Sequence, residues 1–183
     1  MKIVPRILVV SALSAGAVVA LTGCCKKSSS SSSGSASGAT GSTVLMSDAR
    51  VKFDAPAGWN RRETGRWTQY MAPDKLASLA FVTFDRPGES TSLIGQMAGV
   101  LGVGAVNWGG GQNSANLGRN GFPSRVGEGT CQINGNGDPC YVWYATVNPG
   151  TSKQVLIVYA VNTKSGSQHK ANAKASVDSL RSL

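Results

Sequence analysis

Residues 141–161 read YVWYATVNPGTSKQVLIVYAV, two β-forming runs separated by a turn. Valine, isoleucine, tyrosine and tryptophan favour strands, and the Asn-Pro-Gly sequence at 148–150 is typical of a turn. The pattern therefore predicts strands over 141–147 and 154–161 that pair as an antiparallel hairpin. An antiparallel sheet is thus the expected framework of the folded domain.

Further strands are predicted upstream by the same signals. Residues 79–84 are rich in β-formers and are expected to be central, whereas residues 51–55 alternate in hydropathy and stop at Pro56. Residues 67–71 and 122–133 also favour strands, the second being interrupted by glycines.

Two helices are predicted. Residues 90–92 (Ser-Thr-Ser) are N-cap candidates for a helix with one apolar face. That face carries Leu93, Ile94, Met97, Val100 and Leu101. A second helix is predicted from Ser167 towards the end of the chain, with three apolar side chains spaced four and three residues apart. These are Ala173, Val177 and Leu180.

A long Gly/Asn-rich loop is expected over residues 107–120. Strands interrupted by one mid-chain helix and one terminal helix indicate the α+β class. The chain is therefore predicted to form a single α+β domain in which helices flank an antiparallel β-sheet.

The N-terminal segment is predicted to direct export. Lys2 and Arg6 precede an apolar stretch over 7–21, which is shorter than the ~20 residues of a membrane span. The stretch ends in Leu-Thr-Gly-Cys at 21–24, which resembles the lipobox of bacterial lipoproteins. The resemblance implies cleavage before Cys24 and acylation of its thiol with diacylglycerol, such as one carrying palmitate. Two or three acyl chains hold a protein stably at a bilayer.

The predicted organisation is a signal peptide over 1–23, a lipidated Cys24 with a flexible Ser/Gly-rich tether over 24–43, and a globular domain over 44–183. The domain is expected outside the cytoplasm. Position 25 is Cys rather than the Asp that retains lipoproteins at an inner membrane. This favours the periplasmic face of the outer membrane if the source is a bacterium with two membranes.

Cys131 and Cys140 flank a segment with turn chemistry. Two cysteines at the base of a hairpin are expected to oxidise outside the cytoplasm, so a structural disulfide is predicted. A redox or metal pair is the alternative, but the spacing is not Cys-x-x-Cys and no histidine is near.

Composition excludes several kinds of function. The chain has 183 residues, a net charge of +9, a single histidine and no dense basic stripe, so neither nucleic acid nor a histidine-based metal site is expected. No dinucleotide fingerprint, P-loop or G-x-S-x-G motif is present, and no cofactor is predicted. An envelope hydrolase that acts on cell-wall or glycan substrate remains the alternative function. Its candidate acids are Glu63, Asp85, Glu89, Glu128 and Asp138.

Aromatic and basic residues crowd one segment, residues 59–70. They are Trp59, Arg61, Arg62, Arg66, Trp67 and Tyr70. With Trp108 from the Gly-rich loop, they are candidates to line a groove for a polyanion, a glycan or an acidic partner. We predict that Arg61, Arg62, Arg66 and Trp108 bind the partner. The alternative is that Trp59 and Trp67 cap the core while the arginines solubilise an edge.

Residues 51–59, VKFDAPAGW, resemble the opening of the PsbP-like α/β/α sandwich superfamily. This group includes photosystem PsbP subunits, Ran-binding Mog-type factors and bacterial DcrB-type lipoproteins. The strand at 155–161 and the helix that closes on residues 177–183 are also similar to that superfamily. The resemblance implies a non-enzymatic module. We therefore expect a membrane-anchored envelope lipoprotein that binds or assembles an unidentified protein or envelope polymer.

Replacing Cys24 by alanine tests the anchor. Because the acyl chain is attached through the thiol, Cys24→Ala is expected to leave an unlipidated precursor. Intact-mass analysis of the protein from cells measures both cleavage and acylation, and a mature mass without acyl chains in the unchanged protein would refute the lipobox interpretation.

Overall fold

A computed structural model describes residues 40–85, 88–164 and 167–183. The predicted signal peptide, Cys24 and the tether as far as residue 39 lie outside these ranges. Within them, no helix is long and apolar enough to cross a membrane.

The described ranges contain two α-helices, a 3-10 turn over Ser47–Ala49 and eleven strands. The first strand begins at Thr40, four residues before the expected start of the domain. The elements are β1 (Thr40–Met46), β2 (Val51–Pro56), β3 (Asn60–Thr64), β4 (Trp67–Met71), β5 (Ala77–Phe84), α1 (Glu89–Leu101), β6 (Val103–Trp108), β7 (Asn113–Leu117), β8 (Phe122–Ile133), β9 (Pro139–Val147), β10 (Gln154–Asn162), α2 (Ser167–Asp178) and β11 (Arg181–Ser182).

All strand pairings in the described ranges are antiparallel. The main sheet has the order β3-β4-β5-β10-β9-β8-β6, and β7 also pairs with β8. The predicted hairpin is confirmed, because Val155 of β10 lies opposite Val147 of β9. A small sheet of three strands has the order β1-β2-β11.

The central strand β10 is buried on both faces of the main sheet. Ile157 and Tyr159 point into a core formed with α2 and the small sheet, whereas Leu156 and Val158 point into a core formed with α1. The alternation places successive side chains on opposite faces. The predicted class, an α+β domain with helices flanking an antiparallel sheet, is therefore confirmed.

Helix α1 buries Leu93, Met97 and Leu101 of the predicted apolar face. The prediction of an N-cap within residues 90–92 was wrong, since the helix begins at Glu89 and Gly88 caps it without a side-chain hydrogen bond. The Glu89 carboxylate sits in the positively polarised first turn and accepts hydrogen bonds from Arg66 and from the Asp85 N–H.

Helix α2 begins at Ser167, as predicted. Ala173 and Val177 are buried against the main sheet. Leu180 is also buried, but it lies beyond the last helical residue, and its backbone carbonyl accepts a hydrogen bond from the Arg119 N–H at 2.7 Å.

The expected long loop over residues 107–120 was wrong, because β6 extends through Trp108 and β7 occupies Asn113–Leu117. Both short strands pair with the long strand β8, at Gly129 and at Val126 respectively. Glycine and asparagine are poor strand formers, so local sequence indicated a loop, but the backbone groups of β8 were available for pairing.

The predicted disulfide between Cys131 and Cys140 is present. The two residues are direct partners in the β8–β9 pairing, with Cα atoms 4.8 Å apart. This separation is within the ordinary range for a disulfide. The bridge therefore joins neighbouring strands at the base of the hairpin that the turn residues predicted.

Gly127 allows close packing at the β8–β9 pairing. A Cβ atom there would lie 2.4 Å from the ring of Tyr144. We expect Gly127→Ala to lower the free energy of unfolding by about 2 kcal/mol, because overpacking forces the ring or the strand to move. Gly111→Ala is the matched control, since its Cβ would meet nothing within 4 Å. Urea unfolding measures both, and equal stabilities would contradict this account.

Candidate functional site

The structure separates the four residues predicted to bind a partner. Arg61 and Arg62 lie on β3, and Arg66 lies in the turn between β3 and β4. Trp108 lies on β6, at the opposite edge of the main sheet. The expected groove shared by the arginines and Trp108 is therefore not formed.

The three arginines have different surroundings. The Arg61 guanidinium forms an ion pair with Glu63 at 2.6 Å, and Arg66 bonds Glu89 and the backbone carbonyl of Thr83. Arg62 has no ion pair within the described parts of the chain. Two of the three charges thus have internal partners at the surface, where ion pairs are weak and can exchange.

Trp108 packs on the molecule itself. Its ring contacts Tyr144 edge-on, with centroids 4.9 Å apart, and it lies half-buried against the core beneath α1. Gln112 donates a hydrogen bond to the Tyr144 hydroxyl at 2.9 Å. The described contacts therefore give Trp108 a packing role. Trp59 and Trp67 are also buried, in the two different cores, as the alternative interpretation of that segment expected.

A pocket of about 330 Å³ opens between β1 and the β3–β4 hairpin. One wall is the beginning of the small sheet, and the other includes Trp59, Arg61 and Tyr70. The remaining lining residues are Gly41, Ser42, Thr43, Val44, Leu45, Ala55, Pro56 and Gly58. This site brings together three members of the aromatic and basic segment that the sequence singled out.

The Tyr70 hydroxyl is the unusual group in this pocket. Tyr70 is only 4 % exposed, and its hydroxyl has no hydrogen-bond partner among the residues that the structure describes. Buried polar groups are nearly always hydrogen-bonded, so an unpaired hydroxyl on a residue that lines a pocket makes this pocket a candidate ligand site. The ordinary pKa of tyrosine lies well above neutral pH, and burial raises the pKa of Tyr70 further, so the hydroxyl is a donor at neutral pH.

Arg61 provides the charge at the same place. Arg61 and Tyr70 are direct partners in the β3–β4 pairing, and their side chains are therefore on one face of the hairpin. The neighbouring Arg62 lies opposite Gln69, whose amide bonds the Val100 carbonyl of α1, and so it is on the other face. An arginine fork beside a neutral hydroxyl donor suits a carboxylate or a phosphate group.

Sequence reasoning found the two aromatic residues and Arg61 but missed the β1 wall. Arg61 and Tyr70 are nine residues apart on either side of the turn at Gly65, as expected for facing positions in a hairpin. This spacing could have indicated that the two side chains lie together. Residues 41–45 gave none, because they were assigned largely to the tether.

The candidate acids for hydrolysis have internal partners. Glu128 accepts a hydrogen bond from the Tyr141 hydroxyl at 2.7 Å, and Asp138 pairs with Lys164 at 2.8 Å. Asp85 pairs with Lys153, while Glu63 and Glu89 pair with the arginines described above. Within the described ranges, no group of three or more His, Cys, Asp or Glu residues is arranged to hold a metal ion.

An aromatic row on the face of the main sheet beside α2 was also missed. Trp143 stacks on Tyr159 with ring centroids 5.1 Å apart, and the Lys170 ammonium lies 4.0 Å from the centre of the Tyr141 ring. Burial raises the pKa of Tyr159 to about 12. The aromatic side chains of this row contact one another and Lys170 of α2, which indicates a packing role.

Comparison with known proteins gives a fold and no family. No family model matches the chain, and no curated protein matches it. A crystal structure of a Bacteroides thetaiotaomicron protein is similar over 79 % of this chain, with 12 % identity and a TM-score of 0.51. This chain covers only 49 % of that structure. At this identity the similarity shows the fold alone.

Two further solved structures are similar at lower scores. The Ran-binding protein Mog1p of Saccharomyces cerevisiae has 10 % identity and a TM-score of 0.47, with 77 % of this chain and 94 % of that chain covered. A Pseudomonas aeruginosa protein of unknown function has 8 % identity and a TM-score of 0.35, with 72 % and 90 % covered.

Beside the pocket, Asp54 holds the small sheet together. Its carboxylate accepts hydrogen bonds from both terminal nitrogens of Arg181, at 2.9 and 3.1 Å, and from the Thr43 hydroxyl at 2.7 Å. The Arg181 hydrogen bonds lower the pKa of Asp54 below its ordinary value. The ion pair joins β11 to β2 next to the strand that forms the pocket wall.

The lowered pKa of Asp54 predicts a pH-dependent contribution to stability. A carboxyl whose pKa is lower when folded stabilises the protein above its unfolded pKa, and this contribution is lost as pH falls through the folded pKa. We expect Asp54→Asn to cost about 2 kcal/mol at neutral pH and progressively less in acid. Asp48→Asn, at an exposed position in the 3-10 turn, is the control. Urea unfolding at a series of pH values measures this. The account is contradicted if the loss of unfolding free energy in Asp54→Asn does not become smaller as the pH falls below the ordinary pKa of aspartate.

Proposed function

We propose that this protein is a lipid-anchored bacterial envelope lipoprotein and a non-enzymatic binding module. In this proposal, acylated Cys24 holds the chain at the periplasmic face of the outer membrane in a bacterium with two membranes. The pocket of Arg61 and Tyr70 receives a carboxylate or phosphate group of an envelope polymer or a protein partner.

The anchor is supported by the sequence at 21–24 and by the position of the first strand. Thr40 opens β1 only sixteen residues after Cys24. The disulfide between Cys131 and Cys140 supports export, because such bridges persist in oxidising compartments. These observations agree with a domain held close to a membrane outside the cytoplasm.

The single observation that carries the binding proposal is the unpaired hydroxyl of Tyr70 beside Arg61. A buried hydroxyl without a partner costs free energy that a ligand oxygen would recover. The Arg61–Glu63 pair is exposed on both sides, so an anion competes with Glu63 for the guanidinium at little cost. Trp59 adds an aromatic surface at the same wall.

Binding is favoured over hydrolysis by the state of the carboxyl groups. A glycosidase needs one acid whose pKa is raised so that it can donate a proton at neutral pH. Hydrogen bonds from Arg66 lower the pKa of Glu89, and those from Lys164 lower the pKa of Asp138. Among the candidate acids, every resolved change is therefore in the direction opposite to that of a general acid.

Photo-crosslinking in cells tests the binding site. A photoreactive residue at exposed Ser42, on the pocket lip, is expected to give a discrete adduct with the ligand or partner. Arg61→Met and Tyr70→Phe should each reduce that adduct roughly tenfold, since each removes one hydrogen-bonding group. Arg62→Met is the matched control, because it removes the same charge from the opposite face of the same strand.

Two results would overturn this assignment. One is an equal loss of adduct in the Arg61 and Arg62 variants, which would indicate general attraction to a basic edge. The other is an adduct that both pocket variants leave unchanged while they remain folded by circular dichroism. A separate turnover assay in which neutralising one carboxyl abolishes activity would instead support the hydrolase.

A further inference from the structure

The outer face of the small sheet combines exposed leucine with basic side chains. Leu45, Lys52 and Arg181 are direct neighbours across β1, β2 and β11, so their side chains share one face. Val51 and Phe53, at the alternate positions of β2, point into the core. Leu45 is 61 % exposed, and Leu183, which follows β11, is the other large exposed apolar residue in the described ranges.

Basic residues exceed acidic ones around this leucine. Arg50, Lys52, Arg119 and Arg181 lie on or beside the sheet, and both Arg119 and Arg181 contact Asp54. Two carboxylates, Asp54 and the exposed Asp48 of the turn between β1 and β2, lie among these four cations, which leaves an excess of positive charge. An apolar side chain surrounded by basic groups is the combination that suits the interface of an anionic bilayer.

We propose that this face, defined by Leu45, Lys52, Arg50, Arg119 and Arg181, rests on the anionic phospholipid surface of the bilayer in which the acyl chains of Cys24 are inserted. The inference rests on the proposed lipid anchor. The bilayer is the occupant that the chain itself brings close, because β1 carries Leu45 and begins sixteen residues after Cys24. Even a fully extended segment of that length spans at most about 55 Å.

The short connection makes a weak contact sufficient. A surface tethered next to its target has an effective concentration of the order of millimolar, so even a low intrinsic affinity gives substantial occupancy. One leucine and a few cations supply such an affinity. Their contact would fix the orientation of the anchored domain relative to the membrane. Strand β1, which carries Leu45, also forms one wall of the Arg61 pocket. Contact of the small sheet with the bilayer would therefore hold the ligand of that pocket near the membrane.

Vesicle sedimentation of the unacylated mature chain tests the contact without the anchor. The chain starts at position 24 with Cys24→Ser, and the vesicles are used at roughly millimolar lipid, which matches the effective concentration that the anchor would give. The probes are vesicles of phosphatidylethanolamine with phosphatidylglycerol, and vesicles of phosphatidylcholine alone. We expect binding to the anionic vesicles that falls with added salt, and little binding to the neutral ones. Lys52→Gln should weaken the anionic binding roughly fivefold, and Leu45→Ser roughly tenfold.

Arg125→Gln is the matched control. Arg125 is exposed on β8, and strand alternation puts it with Cys131 on the face of the main sheet that α1 covers. The Arg125→Gln substitution removes one positive charge, as Lys52→Gln does, but from the other side of the molecule. It should therefore leave vesicle binding unchanged. Circular dichroism confirms that each variant is folded.

Three results would refute the proposed contact between this face and the bilayer. They are no binding to anionic vesicles, equal binding to neutral vesicles, and a loss of binding in Arg125→Gln as large as that in Lys52→Gln. Failure of the anchor is distinguishable, since intact-mass analysis of the protein from cells reports acylation independently. If the chain binds anionic vesicles through Leu45 and Lys52 but carries no lipid in cells, the membrane contact of this face would stand and the acylation of Cys24 would be refuted.

Discussion

Burial of β10 on both faces is the constraint on which the rest of the structure depends. An apolar strand in the middle of a sheet exposes two surfaces, and each must be covered to be removed from water. Leu156 and Val158 are covered by α1, whereas Ile157 and Tyr159 are covered by α2 and the small sheet. Both helices contact this strand directly, and the small sheet joins the same core through Phe53, whose ring stacks on Phe81 of the neighbouring strand β5 with centroids 3.8 Å apart.

The second covering layer has a functional consequence. A helix alone does not cover the wide face of the main sheet, and the small sheet completes the cover next to α2. Its strand β1 starts the described domain, and its strand β11 ends it, so both ends of the described chain meet in one layer. The Asp54–Arg181 ion pair fixes this meeting point. The pocket and the basic outer face are both products of that layer.

The pocket illustrates why a site without a motif is found only by geometry. It combines the Tyr70 hydroxyl, a donor that has no acceptor in the described part of the chain, with the Arg61 guanidinium, whose partner Glu63 is exposed. Neither residue belongs to a catalytic or cofactor signature. Their significance arises because β1 closes over the β3–β4 hairpin and removes the tyrosine hydroxyl from water, which makes its missing hydrogen bond informative.

Sequence by itself determined the α+β class, the hairpin of β9 and β10, the start of α2 and the disulfide partners. These features depend on local propensity, hydropathy period and turn residues, which neighbouring positions carry. Tertiary structure alone decided that β6 extends through Trp108 and that residues 113–117 form a strand, that Trp108 lies far from Arg61, and that β1 forms one wall of a pocket. Each of these depends on which backbone edge or core surface is left unpaired by distant segments, and that information is not contained in any local stretch of sequence.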